Sequence, residues 1–173
     1  MKVDILEEGG VKEAMLGLSL SYNQPQDKML RVADKLATKD GGHNKFLESV
    51  CVWLDVSASL AFWGQFDTYR IGVTKQSEST MHTLGKRALV PSDFARFIST
   101  RELNALNRDI GFAASKGEAK YLLPQSFIQR RVVCTNYKTL RNIYQQRHQH
   151  KLVEWQEFCV DILLGLKKGE WLK

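Results

Sequence analysis

The feature that most constrains this chain is an apolar run, Val50 to Val56, that leads with no loop into Leu60, Trp63 and Phe66 at helical spacing. Alternation of Val50, Val52 and Leu54 against Cys51 and Trp53 predicts a strand over 49–55 with both faces buried. The change of period then predicts a helix over 60–69. A strand that turns directly into an apolar helix holds the next segment rigidly. That segment is polar: Gln65-Phe66-Asp67-Thr68-Tyr69-Arg70, and then Ser77-Glu78-Ser79-Thr80-Met81-His82. Polar groups this dense beside a core are a candidate ligand lining.

The remaining elements come from the same patterns. Lys2–Leu6 reads as a first strand closed by a Glu7-Glu8-Gly9-Gly10 turn, and Val11, Ala14, Met15 and Leu18 recur as one helix face. A second helix begins after Pro25 with Met29, Val32, Ala33 and Leu36 inward, and Asp40-Gly41-Gly42 breaks it. Pro91-Ser92-Asp93 and Ser99-Thr100-Arg101-Glu102 predict two short helices before Ile110, the second opened by a capping box. Ser115-Lys116-Gly117 reads as a loop, Glu118–Leu123 as a helical turn or strand, and Ile128–Thr135, rich in β-branched residues, as a strand after Pro124. Helices over 136–149 and 152–166 complete the chain. In the first of these, Leu140, Ile143 and Tyr144 make an inward stripe whose next member is Arg147. That arginine either closes the helix and ion-pairs with a carboxylate, or offers its guanidinium to a ligand.

Length and composition fix the class. At 173 residues, with 43% hydrophobic and 25% charged residues and 3 prolines, the chain is expected to form a single domain over residues 1–173 without linker, repeat or low-complexity tract. Apolar runs are too short for a membrane span, and the N-terminus lacks a signal pattern, which predicts a cytoplasmic protein. Cys51, Cys134 and Cys159 are odd in number, far apart and in apolar contexts, as expected for reduced, buried thiols, and no metal site is predicted. His148 and His150 alone make a weak metal pair. The formal charge of +6 is spread along the chain. That distribution favours a phosphorylated small molecule over nucleic acid.

Several segments, in order along the chain, resemble the flavin-dependent thymidylate synthases. Gly42-His43-x-x-x-x-Glu48-Ser49 before an apolar strand is similar to the family's Gly-His-x-Ser-x-x-Glu-His. Gln65-x-x-Thr68-Tyr69-Arg70 stands where the family has Gln-x-x-Arg-His-Arg. Ser77-Glu78-x-Thr80-x-His82 resembles Asn-Glu-x-Ser-x-Arg, and Glu118-Ala119-Lys120-x-x-Leu123-Pro124 resembles Glu-Ala-Arg-x-x-Leu-Pro. Thr135-Asn136-x-x-x-Leu140 with Arg147 keeps the family spacing.

The resemblance implies an α/β domain with a mostly antiparallel sheet flanked by helices, and a homotetramer with flavin sites between subunits. It implies transfer of a one-carbon unit to C5 of a pyrimidine deoxynucleotide, dUMP to dTMP or a variant, with FAD as cofactor and NADPH and methylenetetrahydrofolate as co-substrates. No side chain need then be a covalent nucleophile, since orientation and hydride transfer activate the pyrimidine. Carried over by position, Arg147, Gln65 and Glu78 are the catalytic candidates for the pyrimidine nucleotide. Thr80, His82 and Lys120 would hold its phosphate, while His43, Arg70, Asn136, Lys138 and Asn142 would face the flavin. Thr68 and Tyr69 replace two cation-capable residues, and Lys120, Lys138 and His82 replace arginines. These departures leave a second expectation open: a nucleotide-binding protein on the same scaffold without flavin chemistry. The short, divergent chain would suit a phage that modifies its nucleotide pool.

Overall fold

The computed structural model describes residues 1–173. Four strands form one wholly antiparallel sheet: β1 (Lys2–Gly9), β2 (Cys51–Ser59), β3 (Thr74–Ser77) and β4 (Ile128–Asn136), in the order β1-β2-β4-β3. The helices are α1 (Val11–Tyr22), α2 (Met29–Leu36), α3 (Leu60–Phe66), α4 (Thr80–Thr83), α5 (Thr100–Phe112), α6 (Lys116–Tyr121), α7 (Tyr137–Arg147) and α8 (Val153–Gly165). The α/β class with its antiparallel sheet is as the sequence predicts.

The core forms on one side of β2. Val52, Leu54, Val56 and Ala58 are fully buried there against Phe62, Trp63 and Phe66 of α3, Leu140 and Ile143 of α7, and Trp155 and Phe158 of α8. Most of the aromatic rings meet edge to face or tilted, with Phe62 and Trp155 centroids 4.4 Å apart, while Phe66 and Trp155 lie parallel at 5.9 Å. Ser59 caps α3 by accepting from the Phe62 amide, and Glu154 in turn accepts from both the amide and the hydroxyl of Ser59. The strand-to-helix junction is therefore tied to α8. A second, smaller cluster of Leu84, Leu89, Phe94, Ile98, Ala119, Leu123 and Phe127 lies under α4, α5 and α6.

Several expectations are corrected. The other face of β2 is open: Trp53 is 43% exposed and Cys51 is exposed. Apolar residues on both faces of a strand do not reveal whether a second layer covers it. Only Cys159 is a buried thiol, which burial pushes up to about 12, while Cys134 is half-buried and also raised by burial. Glu7, Glu8 and Gly9 continue β1, with a bulge between Ile5 and Glu7, rather than forming a turn. The chain reverses at Gly10, whose φ of 91° and close approach to the Ser49 carbonyl oxygen exclude any side chain. Between Pro91 and Ile110 there is one 3-10 turn (Pro91–Asp93) and one helix of 13 residues, opened by the predicted Ser99/Glu102 capping box. The predicted loop at 115–117 is the start of α6, with Ser115 as its cap. No sequence pattern announces β3 or the final 3-10 turn (Gly169–Leu172).

Candidate functional site

The segment leaving α3 and the first turns of α7 face each other across a cleft of about 670 Å³. Thr68, Tyr69, Arg70 and Ile71 line one side; Lys138, Thr139, Arg141, Asn142 and Gln145 line the other, with Asp40 and Glu48 also in the lining. The sequence places them there for simple reasons. Asn136 ends β4 and caps α7, its Oδ1 accepting from the Thr139 amide at 2.9 Å. Gly72, with φ 68°, lets the α3-to-β3 connection pass within contact of Asn136 and Thr139. A Cβ at Gly72 would stand 2.6 Å from Thr139 Oγ1, so only glycine fits this approach.

The cleft carries three cations against two carboxylates. Arg70 is exposed, and Lys138 Nζ donates to Asn44 Oδ1. Arg141 is only 5% exposed; it donates to Asp40 at 3.0 Å and to the Thr38 carbonyl oxygen at 3.0 Å. Its buried Nε has no partner. A buried, unpaired guanidinium N–H is costly, and a polar ligand in the cleft would relieve it. Sequence reasoning does not single out Arg141, although it shares a face with Tyr137 and Tyr144 at helical spacing.

Arg147 sits at the end of α7 beside this cleft. Its guanidinium lies over Trp155, 5.1 Å from the ring centroid, and over Tyr69 at 5.7 Å, while Nε–H donates to the Tyr69 hydroxyl at 2.8 Å. It forms no ion pair with a carboxylate, so of the two sequence readings the ion-paired one is not what the structure shows. Its terminal nitrogens make no hydrogen bond within the chain. Gln65 shares the same indole: Trp155 Nε1–H donates to Gln65 Oε1 at 2.8 Å. An indole N–H only donates, so Gln65 must turn its carbonyl to Trp155 and keep its two N–H donors free. Neither Tyr69 nor Trp155 carries a role in the sequence reading.

The other candidates lie apart from this cluster. His43 lines a neighbouring groove of about 490 Å³ between α1 and the 3-10 turn at Lys45–Ser49, and Glu48 lines both hollows. Glu78, Thr80, His82 and Lys120 stand at the far end of β4: the Glu78 amide donates to the Arg130 carbonyl oxygen, six residues along the strand from Asn136. At about 3.3 Å per residue, that sets Glu78 roughly 20 Å along the strand from the Asn136 end of the cleft. There Thr80 is buried, His82 and Lys120 are exposed, and α4 packs on α6. Glu78 also lines a hollow of about 380 Å³ with Arg87. Hydrogen bonding to Arg87 holds Asp93 below the usual carboxylate range. Arg70, Asn136, Lys138 and Asn142 thus gather at the start of α7, Gln65 and Arg147 meet at Trp155, and Glu78, Thr80, His82 and Lys120 form a separate group.

No group of three His, Cys, Asp or Glu residues could hold a metal ion, and no helix is long and apolar enough to cross a membrane. His148 and His150 are engaged locally, with the Tyr144 carbonyl oxygen and the Leu152 amide.

Comparison with known proteins gives a consistent result. A family model described as thymidylate synthase complementing protein matches residues 12–169. The sequence matches none of the curated proteins. The fold is similar to that of thymidylate synthase X (ThyX) from Helicobacter pylori, solved with FAD and dUMP, at a TM-score of 0.82 and 18% identity over 100% of both chains. A further structure of the flavin-dependent enzyme from that organism, also complexed with FAD and dUMP, superimposes at a TM-score of 0.80 with 16% identity, over 99% of this chain and 96% of the other.

Proposed function

The chain belongs to the thymidylate synthase complementing protein family, and on that premise we propose that it is a flavin-dependent thymidylate synthase-like enzyme acting at C5 of a pyrimidine deoxynucleotide, dUMP to dTMP or a close variant. The observation that carries the reading is the pairing of a cationic cleft, with an orphaned buried Arg141 Nε, and a half-buried Arg147 that stacks on aromatic rings without a carboxylate.

The residues present fit a bound FAD. Arg70, Lys138 and Arg141 offer charge to its phosphates, and Thr139 and Asn142 offer hydroxyl and amide groups, with Asn136 beside them as the cap of α7. FAD, when bound, supplies the hydride that the one-carbon transfer requires, with NADPH and methylenetetrahydrofolate proposed as co-substrates. The chain's own work is binding and orientation. Arg147 and Gln65 present N–H donors to the carbonyl groups of a pyrimidine, and the desolvated aromatic wall behind Arg147 strengthens each of those bonds. Thr80, His82 and Lys120 are proposed to bind the nucleotide phosphate, with Glu78 beside them, and His43 to approach the flavin from its neighbouring groove.

Glu78 stands about 20 Å along β4 from Asn136, which supports a site completed by a second subunit and hence a homotetramer. The exposure of Ile71 (91%), Phe97 (85%), Phe112 (83%) and Tyr121 (89%) supports assembly as well. A cytoplasmic setting and a phage origin belong to the same proposal. The loss of cations at Thr68 and Tyr69 is the ground for the alternative of a binding protein without flavin; Arg141 returns one cation to the same cleft, so that alternative loses its support.

The test is an absorbance spectrum of the purified protein from about 300 to 550 nm with and without FAD, followed by thermal denaturation with dUMP. A flavin spectrum perturbed by dUMP is expected. A colourless protein that takes up no FAD at millimolar concentration would refute the enzymatic reading.

A further inference from the structure

Tyr69 occupies the place where the resemblance expects a histidine, and its hydroxyl does more than fill space. The Arg147 Nε–H donates to it at 2.8 Å, and it donates in turn to Gln146 Oε1 at 2.9 Å. Gln146 Nε2 then donates to Asn142 Oδ1 at 2.9 Å. The relay starts at a donor, because a guanidinium can only donate. The hydroxyl oxygen accepts from Arg147 and its one hydrogen goes to Gln146 Oε1, an arrangement in which the Gln146 amide nitrogen faces Asn142 Oδ1. Asn142 is left with its N–H donors free, and Asn142 lines the cationic cleft. The Tyr69 ring is itself held, 6.1 Å from Phe66 and 6.0 Å from Trp155.

We infer that Tyr69 is a positioning residue that orients the Arg147 guanidinium and, through Gln146, presents the Asn142 amide as a donor to the cleft, so that one hydroxyl serves both halves of the binding site. The inference rests on the function proposed above for its consequences, but the hydrogen bond exists or fails independently of any ligand. Histidine could serve in the same place, accepting from Arg147 on one ring nitrogen and donating to Gln146 from the other. Phenylalanine could not, although it keeps the ring packing.

The experiment begins on the free protein. The Arg147 Nε–H resonance, assigned by its disappearance in Arg147→Lys, is followed by nitrogen-proton NMR in wild type, Tyr69→Phe and Tyr69→His. A slowly exchanging signal is expected in wild type and Tyr69→His, and fast exchange in Tyr69→Phe. FAD and dUMP affinities are then measured on the same proteins. Tyr69→Phe should weaken both by about five- to twentyfold, because the lost bond orients the donors and does not itself contact the ligand. Tyr69→His should recover most of that loss, and Gln146→Ala should weaken FAD alone, adding nothing on top of Tyr69→Phe. An unchanged Arg147 signal in Tyr69→Phe would overturn the inference. So would a lost signal with both affinities unchanged, since the hydroxyl would then position nothing. A wild-type protein that binds neither probe would instead refute the proposed function, while the NMR signal still decides whether the hydrogen bond forms.

Discussion

Replacing Arg147 with alanine should separate binding from folding, because the structure gives the side chain little stabilising work. Its guanidinium contributes one hydrogen bond to Tyr69 and two ring contacts, with Trp155 and Tyr69, and no ion pair. Partly exposed cation–π contacts contribute ~0.5–1 kcal/mol each, and the hydrogen bond about 1, so the fold should lose about 2 kcal/mol. For a chain of this size each kcal/mol shifts Tm by about 2–4 °C, which predicts a fall of roughly 4–8 °C with the unfolding cooperative. Binding should suffer far more. Two free terminal nitrogens aimed at an acceptor from a desolvated wall are worth ~1.5–3 kcal/mol per charge-assisted bond, so the affinity for dUMP should fall by about a hundredfold or more. Isothermal titration with dUMP in the presence of FAD, alongside thermal denaturation, reads both quantities. Arg147→Lys should fall between the two proteins, since it keeps charge but loses the planar fork. Wild-type dUMP affinity in a folded Arg147→Ala protein would show that this arginine is structural and that the nucleotide corner has been assigned wrongly.

Two other substitutions probe the cleft and the fold around it. Gly72→Ala forces a left-handed φ on a residue with a side chain and drives its Cβ against Thr139 and Asn136, so it should cost ~1–2 kcal/mol and weaken FAD uptake; equal FAD binding with unchanged Tm would contradict the close approach described. Asp161 has its carboxyl held above the usual range by burial and by Glu157, with the N-terminal ammonium partly opposing. A raised folded-state value means that the ionised form is disfavoured in the fold, so its cost is present at neutral pH and absent once pH falls below the unfolded value of about 4. Asp161→Asn should therefore raise Tm at pH 7 and leave it nearly unchanged at about pH 3, and a lower Tm at pH 7 would reverse the sign of the argument.

Much of the scaffold was legible because its residues leave few choices. Val52, Leu54 and Val56 running into Trp63 and Phe66 can only be a strand delivering a helix into a core, although Phe62 rather than the expected Leu60 completes that core face, and the stripe of Leu140, Ile143 and Tyr144 oriented α7 correctly. The elements that escaped did so for physical reasons. β3 is four polar residues at a sheet edge, Thr-Lys-Gln-Ser, where backbone pairing with β4 supplies what no apolar side chain signals. Glu7-Glu8-Gly9-Gly10 has the composition of a turn, but pairing with Cys51 to Trp53 keeps Glu7, Glu8 and Gly9 extended and leaves the reversal to Gly10. The site was half legible. Spacing pointed to Arg147, whereas Arg141 passed as an ordinary charged position although Tyr137 and Tyr144, four before and three after, are the neighbours of an inward residue. Trp155 takes its significance from a hydrogen bond to Gln65, 90 residues away in sequence, and Tyr69 from one to Arg147, 78 residues away. No local pattern carries contacts of that separation.

The placement of Arg147 and of Glu78, Thr80, His82 and Lys120 in separate clusters leads to a prediction that holds for any symmetric assembly of the chain. If each site takes one group from each of two subunits, a chain defective in Arg147 and a chain defective in both His82 and Lys120 are complementary. Arg147→Ala alone and the His82→Ala, Lys120→Ala double variant should each bind dUMP poorly, because every site contains a faulty half. In a mixed assembly a site is sound when its first half comes from the second chain and its other half from the first. Random mixing at equal amounts makes that about a quarter of all sites, the product of two halves. Co-expression in equal amounts and titration of the unselected mixture of oligomers with dUMP should therefore find about a quarter of the wild-type stoichiometry at close to wild-type affinity. Uniformly weak binding would mean that both groups serve one site within one chain. That result would refute a site shared between subunits and leave each chain to bind its nucleotide alone.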